Sequence, residues 1–251
     1  MSRALAGVRV ILLDIEGTTT PIAFVHQHLF SHAREHVDPY LLDHFDTPVV
    51  QDVIRRLAAE HQADQSADSL PPWRDSTREE LRASVSAYVR WLMDRDRKSP
   101  GLKLLQGVIW ENGYRAGELH GEVYDDVPRA VERWRGEGIE VAIYSSGSEL
   151  AQRLLFASTR YGDFTPLMAG FFDTGVGVKT AADSYRHIAK ALGRPTNELL
   201  FVSDVTAELA AAAEAGCAVR LCVRPGNIPQ PDAASYQQIQ SFDELSAKPA
   251  T

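Results

Sequence analysis

Five short apolar runs occur along the chain, and each is followed by a polar residue. They are residues 8–13 (VRVILL), 139–144 (IEVAIY), 168–172 (MAGFF), 199–203 (LLFVS) and 218–223 (AVRLCV). Continuous apolar runs of this length are typical of strands that are buried on both faces of a parallel sheet. We therefore predict strands at these positions.

Segments with helical patterning lie between the later runs. They are residues 128–135, with Asp126 as a candidate cap, residues 149–158, residues 182–192, and an alanine-rich stretch that ends near Gly216. Strands and helices of these lengths in alternation predict an α/β fold with a doubly wound parallel sheet.

The stretch from about residue 20 to residue 123 has helical periodicity and few strand signals. Ser76 and Glu79 form the pattern of a capping box, which predicts a helix over residues 77–95. The polar, proline-containing residues 63–75 are predicted to interrupt the helices.

We therefore predict two domains. Residues 1–19 and 124–251 form the core with the parallel sheet. Residues 20–123 form a helical domain that is inserted directly after the first strand.

The balance of charge limits the function classes that the chain can serve. Its 251 residues include 34 acidic and 26 basic side chains, which gives a formal net charge of −8. This excess argues against a dedicated nucleic-acid-binding protein, since such a protein needs a basic face. An anionic substrate would need positive groups at its binding site, because the overall field repels it.

Several features indicate a cytoplasmic protein. No apolar run approaches the roughly 20 residues of a membrane span, and the first residues lack the features of a secretory signal. Cys217 and Cys222 have neither metal-site nor redox spacing, which predicts reduced thiols. We expect a monomer, with neither nucleic acid nor membrane as a partner.

The first candidate for chemistry is the pair of acids that follows the first strand. Asp14 and Glu16 are separated by one residue and followed by Gly17 and hydroxyl side chains. In an open α/β sheet the carboxyl ends of the strands form the ligand crevice. One carboxylate can attack or bind a metal there while the other transfers protons. The alternative is a surface turn with two solvated acids.

Three later positions supply what a phosphate site with a bound metal needs. Ser145 and Ser146 precede a predicted helix, whose N-terminus favours anions. Lys179 offers a point charge for phosphate. Asp204, with Glu208 one helical turn later, could complete an oxygen-rich Mg²⁺ site together with the first acid. Taken singly, each has an ordinary structural explanation as a helix cap, a surface lysine or a helix N-terminal acid.

Histidines recur at helical spacing in the inserted region. His28, His32 and His36 would share one helix face, with His26 nearby. No acid or cysteine ligand with a defined geometry accompanies them, so we predict partly buried imidazoles rather than a metal site. No Gly-x-Gly-x-x-Gly follows a strand, which leaves a nicotinamide or flavin cofactor unsupported.

The order of acid pair, hydroxyl, lysine and acid resembles that of the haloacid-dehalogenase-like hydrolase superfamily, whose members use these groups with Mg²⁺. The first motif there is usually Asp-x-Asp-Gly-Thr, whereas the second acid here is Glu16. Within the superfamily the chain is similar to the enolase-phosphatases of methionine salvage, also called acireductone synthases. The segments that carry the likeness are residues 14–25 (DIEGTTTPIAFV), 144–148 (YSSGS), 203–209 (SDVTAEL), 102–110 (LKLLQGVIW) and 113–119 (GYRAGEL).

The resemblance implies a Rossmann-like core with an inserted helical cap and a specific reaction. Enolase-phosphatases convert 2,3-diketo-5-methylthiopentyl-1-phosphate to an enol phosphate. They then remove the phosphate through an aspartyl-phosphate intermediate, which yields 1,2-dihydroxy-3-keto-5-methylthiopentene. One Mg²⁺ per chain is expected.

The same resemblance implies roles for individual residues. Asp14 would be the nucleophile and a metal ligand, and Asp204 would be a second metal ligand. Glu16 would bind the metal through its backbone carbonyl and transfer protons with its carboxyl. The residues that would hold the phosphate are Ser145, Ser146 and Lys179.

In the inserted region the resemblance suggests contacts with the substrate. The candidates are Lys98, Lys103 and Gln106 for its oxygens, and Trp110 or Trp73 for its methylthio end. The competing interpretation is that the lysines are solvated and the tryptophans belong to the core.

Other functions remain open at this stage. The nearest alternative is a Mg²⁺-dependent phosphatase that acts on another small phosphate ester. A metal-free dehalogenase is disfavoured, because it needs neither the proton transfer nor the metal site that Glu16 and Asp204 offer. A non-catalytic phosphate-binding protein would be expected to lack Asp14 or Lys179, and both are present.

Overall fold

The computed structural model describes residues 5–64 and 70–246. Within these residues the chain forms two compact units. One is built from the described residues up to His26 together with those from His120 onward, and the other from the described residues between Gln27 and Leu119. We call them the sheet unit and the helical unit.

The sheet unit contains a six-stranded sheet in which every neighbouring pair of strands is parallel. The strand order is β3-β2-β1-β4-β5-β6, which confirms the predicted doubly wound parallel sheet. The strands are β1 (Val10–Leu13), β2 (Glu140–Tyr144), β3 (Gly170–Phe172), β4 (Leu199–Ser203), β5 (Ala218–Cys222) and β6 (Gln238–Ile239). The two-residue β6 was not predicted, because so short a strand has no apolar run to reveal it.

Helices of the sheet unit follow the alternation that the sequence predicts. They are α1 (Ile22–Phe24), α6 (Asp126–Gly136), α7 (Glu149–Ala157), α8 (Ala182–Ala191) and α9 (Thr206–Glu214). Val10 and Leu12 pack in one apolar cluster with residues of α8 and α9. Ile11 and Leu13 are equally buried and point to the other face, because side chains alternate along a strand. This burial on both faces explains the continuous apolar run of β1.

The strand order places the ends of three strands beside one another. β1 is hydrogen-bonded to β2 on one side and to β4 on the other. The chain winds in opposite directions on the two sides of β1, so the carboxyl ends of β1 and β4 flank the crevice in which such sheets bind ligands.

The described residues of the helical unit form the helices α2 (Phe30–His44), α3 (Pro48–Ala63), α4 (Arg78–Asp94) and α5 (Pro100–Ala116). A π-helical turn, Val25–Leu29, leads into α2. α5 packs against α2 and α3, and α4 packs against the same two helices. No helix among the described residues is both long and apolar enough to cross a membrane.

Two predicted helix caps are wrong in detail. α4 begins at Arg78, because Thr77 has an extended backbone and its hydroxyl accepts from the N–H of Glu80. The cap is therefore Thr77 rather than the predicted Ser76. Asp126 does not cap α6 with its side chain; its carboxylate binds Arg224 instead.

The predicted interruption of the helices at residues 63–75 lies between α3 and α4. α3 ends at Ala63 and α4 begins at Arg78. Residues 65–69 of this segment lie outside the described residues.

Candidate active site

Asp14 lies directly after β1 and is almost completely buried, with 4 % of its surface exposed. Its backbone N–H donates to the carbonyl of Val202 in β4 at 3.0 Å. The hydroxyl of Thr19 contacts the carbonyl oxygens of Asp14 and Ile15, at 3.1 and 3.2 Å. Hydrogen bonds within the turn after β1 thus fix its backbone, and the Asp14 carboxylate lies beside the carboxyl ends of β1 and β4.

Lys179 reaches this carboxylate from a different part of the chain. Its Nζ lies 2.6 Å from Oδ1 of Asp14 and 2.5 Å from Oε2 of Glu208. The hydroxyl of Tyr185 donates to the Lys179 carbonyl at 2.7 Å, which fixes the backbone from which the side chain extends. The buried Lys179 ammonium therefore forms ion pairs with two carboxylates.

Glu208 is positioned by the end of β4. The hydroxyl of Ser203 donates to Oε2 of Glu208 at 2.9 Å, and it accepts from the N–H of Val205 at 3.1 Å. Glu208 belongs to the first turn of α9. The sequence placed it near Asp204 but gave it no role, since its partner Lys179 lies on another element.

Asp204 follows β4 and is 7 % exposed. Gly17, on the turn after β1, approaches it so closely that a Cβ built on that glycine would lie 2.4 Å from Oδ2 of Asp204. Gly17 also has a φ of +68°, a conformation that favours glycine. The glycine of the first motif is needed both for the turn and for room beside the acid.

Glu16 contacts a histidine that sequence reasoning did not select. Nε2 of His26 lies 2.8 Å from Oε1 of Glu16, and both side chains are partly exposed. His26 was grouped with the histidines of the following helix, because its sequence spacing carried no sign of the turn that brings it to Glu16.

The serines at the end of β2 reach the same cleft. Ser145 donates its backbone N–H to Phe172 at 3.1 Å, and its hydroxyl accepts from the N–H of Gly147 at 3.3 Å. Ser148 caps α7 by accepting from Ala151. This leaves Ser145 and Ser146 beside the helix N-terminus, where an anion is favoured.

One cleft in the sheet unit is lined by all of the predicted site residues, and its volume is about 230 Å³. Those residues are Asp14, Glu16, Ser145, Ser146, Lys179 and Asp204. The cleft is further lined by His26 and Glu208, and by Ile22, Val205, Ile228 and Gln230. The predicted residues are thus brought together, although their roles do not follow from proximity alone.

Crowding of acids in the cleft changes their proton affinities. Burial, and then the charges of Asp14 and Glu208, raise the pKa of Asp204 to about 7. Burial and Asp14 likewise raise the pKa of Glu208. Burial alone would lower the pKa of Lys179, but the charges of Asp14 and Glu208 outweigh it and raise that pKa. Lys179 therefore stays protonated, as a phosphate-binding cation must.

Glu16 has a pKa that is raised chiefly by burial. The nearby His26 lowers this pKa, whereas the charge of Asp14 raises it further. A raised pKa moves a carboxyl toward the range in which it can both give and take a proton, which suits an acid–base catalyst.

The donors of the cleft fit a hard divalent cation. Asp14, Asp204 and Glu208 bring three carboxylates to one buried region, and Lys179 is the cation that contacts two of them. The raised pKa of Asp204 reflects this excess of negative charge. Mg²⁺ prefers oxygen ligands and is commonly shared between carboxylates and phosphate.

The segment after β5 has a larger part in the site than its sequence indicated. Arg224 is buried and donates from Nε to the carbonyl of Thr18 at 3.2 Å. Nδ2 of Asn227 donates to the carbonyl of Gly17 at 2.9 Å. Both contacts support the turn that carries Glu16.

The candidate contacts in the inserted region lie in the helical unit. Trp110 is 7 % exposed, and its Nε1 donates to the carbonyl of Leu29 at 2.8 Å. Trp73 packs against His61 and Tyr88. Trp110 is thus buried within that unit, whereas Trp73 is only half-buried there. The contacts of this unit with the substrate stay predictions.

Comparisons with known proteins point to a family of hydrolases. The haloacid dehalogenase-like hydrolase family matches residues 8–216. The chain is 47 % identical to the enolase-phosphatase E1 of Synechococcus elongatus over 238 residues, which cover 95 % of this chain and 98 % of that protein. It is 42 % identical to the enolase-phosphatase E1 of Xenopus tropicalis, over 95 % of this chain and 94 % of that protein.

A solved structure also matches over nearly the whole chain. The crystal structure of the UTR4 protein of Saccharomyces cerevisiae aligns with a TM-score of 0.74 and 35 % sequence identity. The match covers 94 % of this chain and 99 % of the yeast chain. The likeness therefore extends over both units rather than the sheet unit alone.

Proposed function

Because the chain belongs to the enolase-phosphatases of the haloacid dehalogenase-like hydrolase family, we propose that its cleft converts 2,3-diketo-5-methylthiopentyl-1-phosphate to 1,2-dihydroxy-3-keto-5-methylthiopentene and phosphate. The protein is an acireductone synthase of methionine salvage. The observation that carries this function is the buried Asp14 carboxylate, 2.6 Å from Lys179 Nζ, in one cleft with Glu16, Ser145 and Asp204.

The first half of the reaction is an enolisation. Substrate and product differ in that C1 has lost a hydrogen and the oxygen on C2 has gained one. A base in the cleft must therefore remove a proton from C1. Glu16 serves as this base and delivers the same proton to the C2 oxygen, which completes the enol. The Glu16 carboxylate then takes up a proton from solvent before the second half of the reaction. His26, whose Nε2 lies 2.8 Å from this carboxylate, positions it.

The second half is phosphoryl transfer. An oxygen of Asp14 attacks the phosphorus, the bond from phosphorus to the C1 oxygen breaks, and Glu16 gives its proton to that departing oxygen. Water then attacks the phosphorus of the aspartyl phosphate and gives a proton to Glu16. This second attack frees Asp14 and releases phosphate, so that one water is consumed in each cycle.

Positive charge near the phosphate makes the attack by an anion possible. Phosphoryl transfer is accelerated mainly by positioning and by charge stabilisation. Lys179, Ser145 and Ser146 hold the phosphate oxygens. Family members generally use Mg²⁺, and here Asp14, Asp204 and the backbone carbonyl of Glu16 would hold one such ion per chain, which would offset the charge that develops on the transferred group.

The remaining parts of the proposal concern the whole molecule. The helical unit serves as a cap that excludes water during the reaction. The protein acts as a cytoplasmic monomer, and its two free, buried cysteines, Cys217 and Cys222, support a reducing compartment. Burial raises the pKa of Cys217 to about 11 and that of Cys222 to about 12, so both stay as unreactive thiols.

Incubation of the pure protein and Mg²⁺ with the diketone phosphate tests this function. The transient ultraviolet absorbance of the enol and the release of inorganic phosphate are followed together. We expect the enol to form first and phosphate release to follow. A panel of simple phosphate esters serves as the control; efficient hydrolysis of several esters without turnover of the diketone would favour the general phosphatase instead.

A further inference from the structure

Three side chains with metal-ligating atoms meet within the helical unit. Nε2 of His36 lies 3.7 Å from Oε2 of Glu118, and Nε2 of His32 lies 4.0 Å from the same oxygen. The three ligand atoms all lie within 4.8 Å of one another. None of these residues belongs to the cleft described above.

The backbone brings the three residues together. His32 and His36 are one turn apart on α2, so their rings lie on one face and stack with centroids 3.9 Å apart. α5, which packs against α2, ends at Ala116 and is capped by Gly117 in a left-handed conformation. The N–H of Glu118 then donates to the carbonyl of Gly113 at 2.9 Å. Glu118 thereby supplies the acid that the histidine spacing alone lacked.

His36 is held in the tautomer that a metal needs. Its Nδ1 lies 2.8 Å from the backbone carbonyl of His32. Because a carbonyl oxygen only accepts hydrogen bonds, Nδ1 carries the hydrogen and the lone pair remains on Nε2. This support of one ring nitrogen by a carbonyl is the usual arrangement of a metal-binding histidine.

The His32 side chain is nearly buried and packs closely against Gly113. Its side chain is only 10 % exposed, and a Cβ built on Gly113 would lie 2.5 Å from its Nε2. The absence of a side chain at Gly113 therefore leaves room for the imidazole.

We propose that His32, His36 and Glu118 form a binding site for a divalent transition-metal ion of the Zn²⁺ type. Two imidazole nitrogens and one carboxylate oxygen are a known ligand set for Zn²⁺, with a fourth position left for water. Ligand atoms around a tetrahedral Zn²⁺ lie about 3.4 Å apart, given bonds of about 2.0–2.1 Å. The present spacings reach this value through small side-chain rotations.

Ligand chemistry separates this site from the catalytic cleft. Imidazole suits Zn²⁺, whereas the carboxylates of the cleft suit Mg²⁺. An ion here would connect α2 to the end of α5. Because an ion that binds only the folded chain stabilises it, Zn²⁺ is expected to raise the melting temperature of the protein.

Calorimetric titration of the metal-stripped, full-length protein with Zn²⁺ tests the site. Excess Mg²⁺ is present to occupy the oxygen-rich cleft. We expect one equivalent of Zn²⁺ to bind the wild type, and His36→Ala and Glu118→Gln each to lower its affinity about a hundredfold or more. Both side chains are partly exposed, so these variants are expected to fold, which circular dichroism checks.

The matched controls are His28→Ala and Asp43→Asn, which remove an exposed histidine and an exposed acid that lie outside the cluster. They should bind Zn²⁺ as the wild type does, and Zn²⁺ should raise the melting temperature of the controls but not of the two ligand variants. Absence of Zn²⁺ binding by the wild type, or equal affinity in all four variants, would overturn the proposal. The diketone phosphatase activity is not used as a readout, so the failure of either proposal is recognised separately.

Discussion

Arg224 and Asp126 form a buried ion pair, with Nη2 of the arginine 2.9 Å from Oδ2 of the aspartate and side-chain exposures of 4 % and 8 %. The same arginine donates from Nε to Thr18 on the turn after β1 and from Nη1 to Gln240 at 2.8 Å. Asp126 also accepts from the backbone of Phe242. The pair thus ties the catalytic turn to the start of α6 and to the chain after β6.

The substitution Arg224→Met should lower the free energy of unfolding by about 3–5 kcal/mol, because it leaves the charge of Asp126 buried without its partner. Denaturant titration followed by circular dichroism measures the loss. Arg186→Met is the control, since it removes an exposed pair with Asp183 that is worth at most about 1 kcal/mol. Equal losses in the two variants would contradict the structural role of Arg224.

The substitution Gly17→Ala should weaken Mg²⁺ binding about tenfold or more, because the added Cβ would meet Oδ2 of Asp204 at 2.4 Å. Mg²⁺ dependence of phosphate release measures the change. Gly138→Ala is the matched control: this glycine has a similar φ of +77° but nothing within 4 Å of its Cβ position. If Gly17→Ala required no more Mg²⁺ than Gly138→Ala, the contact with Asp204 would have no effect on metal binding.

The substitution Asp14→Asn should reduce phosphate release by about 10⁴-fold or more, because an amide cannot attack phosphorus. Binding of inorganic phosphate should persist, since Lys179 and the serines remain. Single turnover of the wild type in ¹⁸O-water provides a second measurement. Label should enter the released phosphate and not the Asp14 carboxylate; label in Asp14 would show attack by water on the carboxyl carbon.

The substitution Lys179→Met should lower kcat about 10²–10³-fold, because the cation that stabilises charge on the transferred phosphate is lost. The raised proton affinity of Glu208 and Asp204 should increase further without it. Steady-state kinetics measure the effect, and Lys190→Met, which removes an exposed lysine from α8, is the control. A change confined to KM would indicate a role in binding alone.

The substitutions Glu16→Asp and His26→Gln should slow enolisation more than the hydrolysis of a simple phosphate ester. The shorter aspartate reaches less far toward C1, and loss of His26 removes the group that contacts Glu16 at 2.8 Å. Stopped-flow absorbance of the enol and phosphate release are compared, with His28→Gln as the control. If enolisation and ester hydrolysis were slowed equally, Glu16 and His26 would have no specific role in the enolisation.

The sequence by itself determined the parallel sheet and most of the residues that form the site. The apolar runs of β1 and β4 are buried on both faces. A strand with apolar side chains on both faces is typical of the interior of a parallel sheet that is covered on both sides. Asp14 and Asp204 could be predicted for the same reason, since each directly follows such a strand and must lie at its carboxyl end.

Only the tertiary structure decided which side chains contact one another. The pairs Lys179–Glu208, Glu16–His26 and Arg224–Asp126 join elements that are distant in sequence or separated by a turn. A local pattern reports which face a residue occupies, but a contact between elements depends on how helices and strands pack. Glu118 beside His32 and His36 is decided in the same way, because the left-handed turn at Gly117 gives an otherwise ordinary acid its partners.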